Sequence, residues 1–254
     1  MKVLLVEGYQ EMSKVAAQLF AQEVRSKADL VLGLATGGTP VGMYAELIRM
    51  HQEEGLDFSQ ATSFNLDEYV GLSSEHPQSY RMYMQENFFG QVNIDPRKTH
   101  IPRGDVQDLG AECSRYEQSI VAAGGIDIQV LGIGNNGHIG FNEPGSAPDT
   151  RTRVVQLTMS TIEANARYFE AVDEVPTQAI SMGIQTIMSA KKIVLLASGV
   201  AKAEAVRNML EGEVTPAVPA SLLRSHPDVT VVVDEQAASQ LSPATIGGAV
   251  TTRK

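Results

Sequence analysis

The densest concentration of reactive side chains lies in Gly132-Ile133-Gly134-Asn135-Asn136-Gly137-His138-Ile139-Gly140-Phe141-Asn142-Glu143-Pro144. Here an imidazole, His138, precedes a carboxylate, Glu143, by five positions. A folded-back turn can bring the two together, so that Glu143 orients His138 as half of a general acid–base arrangement working near neutral pH. Asn136 and Asn142 add polar groups to the same turn. The glycines also satisfy G-x-G-x-x-G, but a dinucleotide site needs a helix directly after that spacing. Gly140, Pro144 and Gly145 break the chain there, so NAD is set aside.

A second constellation suits an anion. The apolar run Leu30 to Ala35 ends in Thr36-Gly37-Gly38-Thr39-Pro40, where two glycines permit close backbone approach, Thr39 can cap a helix and Pro40 fits its first turn. The partial positive charge of a helix N-terminus favours phosphate or carboxylate. The spacing is neither a Walker motif nor a dinucleotide fingerprint, so a small phosphorylated ligand is expected. Lys202 follows the turn Ser198-Gly199 in what reads as a helix's first turn, a place the dipole disfavours for a cation unless an anion binds.

A third candidate is the pair Asp67 and Glu68, placed where the run Thr62 to Leu66 ends. Successive strand residues face opposite ways, so one carboxylate enters a crevice and the other meets solvent; periodicity does not say which. The histidines at 51, 76, 100, 138 and 226 show no H-E-x-x-H or H-x-H spacing, and a single cysteine, Cys113, leaves no thiolate cluster. No metal site is expected.

These residues need strands to carry them. Val3 to Val6, Leu30 to Ala35, Thr62 to Leu66, Ile126 to Leu131, Val154 to Leu157, Ile193 to Ala197 and Val229 to Val233 read as strands. Amphipathic helices alternate with them. One carries Met12, Val15, Ala16, Leu19, Phe20 and Val24; another begins at Pro40; a third carries Tyr80, Met84 and Phe88; a fourth is capped by Asp105 and stopped by Gly124-Gly125. The aliphatic runs at 193–197 and 229–233 fit strands covered on both faces. The expectation is one α/β domain over 1–254, a doubly wound, Rossmann-like, mostly parallel sheet with helices on both faces. Ligands of such sheets bind beyond the carboxyl ends of the strands, where all three constellations fall.

Composition narrows the partners. The 254 residues carry a formal charge of -10, which opposes binding to nucleic acid or anionic membrane, and a phosphorylated ligand must be held locally. One cysteine is compatible with a reducing cytoplasm. Neither a signal segment nor a membrane-spanning run is read.

The strings Leu34-Ala35-Thr36-Gly37-Gly38-Thr39-Pro40, Asn65-Leu66-Asp67-Glu68-Tyr69 and Gly134 to Pro144, in this order, resemble the glucosamine-6-phosphate deaminase (glucosamine-6-phosphate isomerase) family. The likeness continues through Ser198-Gly199, Lys202, Ser221-Leu222-Leu223 and His226-Pro227. It implies conversion of glucosamine 6-phosphate and water to fructose 6-phosphate and ammonia, with no organic cofactor, labelled a hydrolase, in amino-sugar breakdown. It implies further that Gly37, Gly38 and Thr39 hold the phosphate with Arg167 and Lys202, that His138 with Glu143 serves ring opening, and that Asp67 moves the C2 proton. Many family members have Asp where this chain has Asn136, leaving Glu143 as the carboxylate beside His138. Allosteric hexameric members use basic residues after the loop; here Arg151 and Arg153 lead into Val154-Val155 where a lysine is expected. The reading therefore leans to an unregulated enzyme and to a monomer, with a homo-oligomer left open. The rivals are a 6-phosphogluconolactonase-like hydrolase and a non-catalytic sugar-phosphate-sensing domain; the βα unit starting at residue 3 leaves the latter no preceding DNA-binding segment.

Overall fold

The computed structural model describes residues 1–166, 169, 171 and 174–251. The chain runs β1 (Lys2–Val6), α1 (Tyr9–Ser26), β2 (Val31–Leu34), α2 (Val41–Glu54), β3 (Thr62–Asn65), β4 (Asp67–Tyr69), α3 (Tyr80–Asn87), β5 (Thr99–His100), α4 (Leu109–Ala122) and β6 (Ile128–Gly132). It continues β7 (Arg153–Gln156), α5 (Met159–Asn165), β8 (Gln178–Ser181), α6 (Ile184–Met188), β9 (Lys192–Ala197), α7 (Ala203–Glu211), β10 (Val229–Asp234), α8 (Pro243–Gly248) and β11 (Val250–Thr251).

Eight strands form a parallel sheet in the order β11-β1-β10-β9-β6-β2-β3-β5. In β2, and from Ile193 onward in β9, every residue is buried. Because neighbours along a strand face opposite ways, both sheet faces are covered there, which is why these strands read as unbroken aliphatic runs. Strand order reverses beside β2: β3 and β5 lie to one side, while β6, β9 and β10 fill the other. The loops after β2 and β6 thus flank a topological switch point, where an open α/β sheet leaves a crevice.

Two expectations change. The strand at Val154 belongs to a separate three-stranded antiparallel sheet, β4-β8-β7, with its own small apolar cluster around Tyr69, Leu157 and Ala179. Its members, like β5, have four residues or fewer, too few to display a period. Helix α4 begins at Leu109, and its cap is Asp108, whose carboxylate accepts from Ala111 N at 2.8 Å, in place of Asp105. Its end is as expected: Gly124 and Gly125 take φ of 86° and 79°, and their amides donate to Val121 O and Ile120 O, a turn that favours residues without Cβ. Cys113 is buried and unpaired in a disulfide.

Candidate active site

The loops after β2, β3, β6 and β9 surround a cavity of about 470 Å³. Gly37, Gly38, Thr39, Asp67, Asn136, His138 and Lys202 all line it, so residues separated by up to 165 positions meet at one crevice. Glu143 reaches it through His138. Arg167 lies outside the described residues.

The β6 loop is built around its glycines. Gly134 N donates to His138 O at 2.9 Å and Gly137, at φ 85°, donates to Gly134 O at 3.0 Å. The imidazole then packs over Gly134 so closely that a Cβ there would come within 2.2 Å of the ring. Glycine spacing that imitated a nucleotide turn therefore serves to seat the histidine. His138 Nδ1 stands 3.5 Å from Glu143 Oε2, too long for a strong hydrogen bond. Glu143 is pulled down to about 2 by the adjoining His138, with Asn136 and Thr161 donating to it as well. Asn136 Nδ2 reaches Oε2 at 2.7 Å and Thr161 Oγ1 reaches Oε1 at 3.0 Å. Asn142, by contrast, turns away: it is fully buried, donating to Ile139 O and Met182 O and accepting from Arg153 at 2.8 Å. It holds the loop to the end of β8 and does not face the histidine. Arg153, one of the two arginines in the region of the expected lysine, is thereby turned inward.

The two acids after β3 divide sharply. Asp67 lines the cavity, and a Cβ placed on Gly140 would lie 3.6 Å from its Oδ2. Burial, reinforced by the charge of Glu68, pushes its carboxyl up from 3.8 to about 8, in the range where a carboxylate becomes an effective base near neutrality. Glu68 does not meet solvent as expected; it is buried and accepts from the backbone amides of Tyr69, Tyr80 and Arg81 at 2.9, 2.9 and 3.1 Å. It thus anchors the start of α3, supplying a negative group to a helix N-terminus. Burial raises its carboxyl too, against those three hydrogen bonds.

At the opposite wall, Pro40 and not Thr39 occupies the cap position of α2, with φ -83° and ψ -5° and no side-chain cap. Thr39 is left facing the cavity and lies beside Gly132 of β6. Lys202 sits at the cap of α7, and burial lowers its ammonium. Among the described residues it forms no ion pair, which leaves its charge for a ligand. Tyr80, placed only on a helix by its spacing, lines the cavity at the first residue of α3, while Met84 and Phe88 are buried. Thr161 of α5 also lines it. Neither is announced by a local motif, since both enter through elements whose placement depends on the small sheet.

The family model of glucosamine-6-phosphate isomerases/6-phosphogluconolactonase matches residues 7–232. Among curated proteins, glucosamine-6-phosphate deaminase of Thermoanaerobacter pseudethanolicus is 54% identical over 239 residues, covering 94% of each chain. Glucosamine-6-phosphate deaminase 1 of Bacillus subtilis is also 54% identical over 239 residues, 94% of this chain and 99% of that one. A solved monomeric glucosamine-6-phosphate deaminase superposes with TM-score 0.93 at 54% identity over 94% of this chain and 100% of its own. The 6-phosphogluconolactonase of Trypanosoma brucei shares only the fold, at TM-score 0.73 and 18% identity, over 95% and 98% of the two chains. The matched family is named for isomerases and 6-phosphogluconolactonase and the high-identity relatives for deaminases, so the expected label hydrolase is not among these names. The chain belongs to the glucosamine-6-phosphate isomerase/6-phosphogluconolactonase family, with glucosamine-6-phosphate deaminases as its high-identity relatives.

Proposed function

We propose that this chain is a glucosamine-6-phosphate deaminase, releasing ammonia from glucosamine 6-phosphate and water and yielding fructose 6-phosphate. The observation that carries the reading is one cavity joining a buried carboxyl raised to about 8, a histidine–carboxylate pair, an anion-suited loop and a lysine that forms no ion pair among the described residues. The phosphate is taken by the Gly38 and Thr39 amides and Lys202, with Arg167 expected to join them. At the other end His138, held beside Glu143, exchanges the proton needed to open the pyranose ring. Asp67 then removes the proton on C2, whose bonding electrons become the C1–C2 double bond while the C1 carbonyl π electrons pass to O1, which takes a proton; as the nitrogen lone pair moves into the C2–N bond, the C1–C2 electrons take the proton back from Asp67 at C1. This leaves a carbon–nitrogen double bond at C2; water adds there and ammonia departs. The chain is read as acting as one catalytic unit over 1–254, as a monomer and in the cytoplasm.

Lactone hydrolysis has no carbon-bound proton to move, and a buried base at Asp67 would be idle in it. Incubation with glucosamine 6-phosphate, galactosamine 6-phosphate and 6-phosphogluconolactone discriminates: ammonia from the first is expected, and silence with both amino sugars overturns the reading. Sedimentation at several concentrations tests the monomer.

A further inference from the structure

Each of three carbonyls at the end of β2 meets a tyrosine. The buried Tyr44 donates to Ala35 O at 2.6 Å, Tyr83 of α3 to Gly37 O at 2.6 Å, and Tyr9 of α1 to Gly38 O at 3.0 Å. Tyr9 also accepts from Gly42 N at 2.9 Å, tying the loop to the first turn of α2. That closeness requires glycine at 42, where a Cβ would come within 2.3 Å of Ser13 Oγ.

The loop itself has little to fix its peptide planes. Gly37 adopts φ 96°, and neither Gly37 nor Gly38 has an atom within 4 Å of where a Cβ would lie, so steric packing does not choose an orientation. The hydroxyls do. There is no cis peptide among the described residues, and in a trans peptide the N–H points opposite the carbonyl. Holding the Gly37 and Gly38 carbonyls toward Tyr83 and Tyr9 therefore turns the Gly38 and Thr39 amides the other way. Among the described residues neither amide has an acceptor, and both residues line the cavity.

We propose that Tyr9 and Tyr83 are positioning residues that preorganise the Gly38 and Thr39 amides for the substrate's phosphate. The proposal rests on reading this loop as the phosphate site. Preorganised donors bind without first reorienting, so their loss appears in affinity more than in the chemical step.

The test uses Tyr9→Phe, Tyr83→Phe and the double variant, which keep the rings and remove only the hydroxyls. KM and kcat are measured with glucosamine 6-phosphate, and inorganic phosphate is titrated calorimetrically as an independent probe. Each single variant should raise KM and the phosphate Kd about threefold to tenfold, the worth of one net hydrogen bond. The double variant should show a larger rise, with kcat held within about twofold. Unchanged KM and Kd, or a loss of kcat exceeding the rise in KM, overturns the proposal. Wild-type protein that does not bind phosphate refutes the reading of the loop itself, whereas wild-type binding undiminished in the double variant refutes only the tyrosines' role.

Discussion

Replacing Asp67 by Asn should abolish turnover and stabilise the fold at alkaline pH. The carboxyl is displaced from 3.8 to about 8 because the folded chain buries it beside Glu68. Between those values the native protein keeps a proton that the unfolded chain has released, so stability declines as pH rises toward 8 and then levels off. At about 1.36 kcal/mol per pH unit the full displacement corresponds to roughly 5–6 kcal/mol, an upper limit. Access of water to the cavity and relaxation around the charge reduce it, and about 2 kcal/mol is a working figure. Asn is nearly isosteric and carries no charge to bury, so it escapes that penalty. In a protein of this size 1 kcal/mol moves Tm by about 2–4 °C, giving a gain of about 4–8 °C at pH 8 to 9 that vanishes below about pH 4. Ammonia release should fall about a hundredfold to ten-thousandfold, the contribution of a positioned general base, with KM little changed. Thermal unfolding at about pH 4, 7 and 9 beside steady-state kinetics supplies both readouts. A Tm difference independent of pH would refute the raised carboxyl, and retained turnover would refute its catalytic role.

Asn136→Asp removes the donor that reaches Glu143 Oε2 at 2.7 Å and sets a like charge there; the acid limb of the kcat/KM profile should move to higher pH, and superimposable profiles would show the position to be silent. Lys202→Met should raise KM for the phosphorylated sugar about tenfold or more with kcat little affected, because a charge-assisted contact contributes about 1.5–3 kcal/mol; equal KM values would remove Lys202 from the phosphate site. Glu68→Gln weakens three hydrogen bonds to backbone amides at the start of α3; a loss of about 1–3 kcal/mol is expected from denaturant unfolding, and an unchanged midpoint would mean that Glu68 does not anchor that helix.

The alternation of strand and helix, the parallel sheet and the positions of the loops were legible because long aliphatic runs such as Ile193 to Ala197 and the glycine stop at 124–125 are local signals. The three loop motifs likewise announced the cavity wall from composition and spacing. What local pattern could not decide was which of two adjacent acids faces inward. Asp67 and Glu68 differ only by one step along a strand, and the choice falls to the antiparallel pairing of β4 with β8, 110 or more residues distant. Tyr80 and Thr161 were hidden for the same reason, entering the cavity on short elements set by the small sheet. Sequence determined the chemical inventory, since residue types and turn-forming glycines are written locally. Tertiary structure decided its electrostatics, because the rise of Asp67 and the fall of Glu143 arise from burial and neighbours brought together through space.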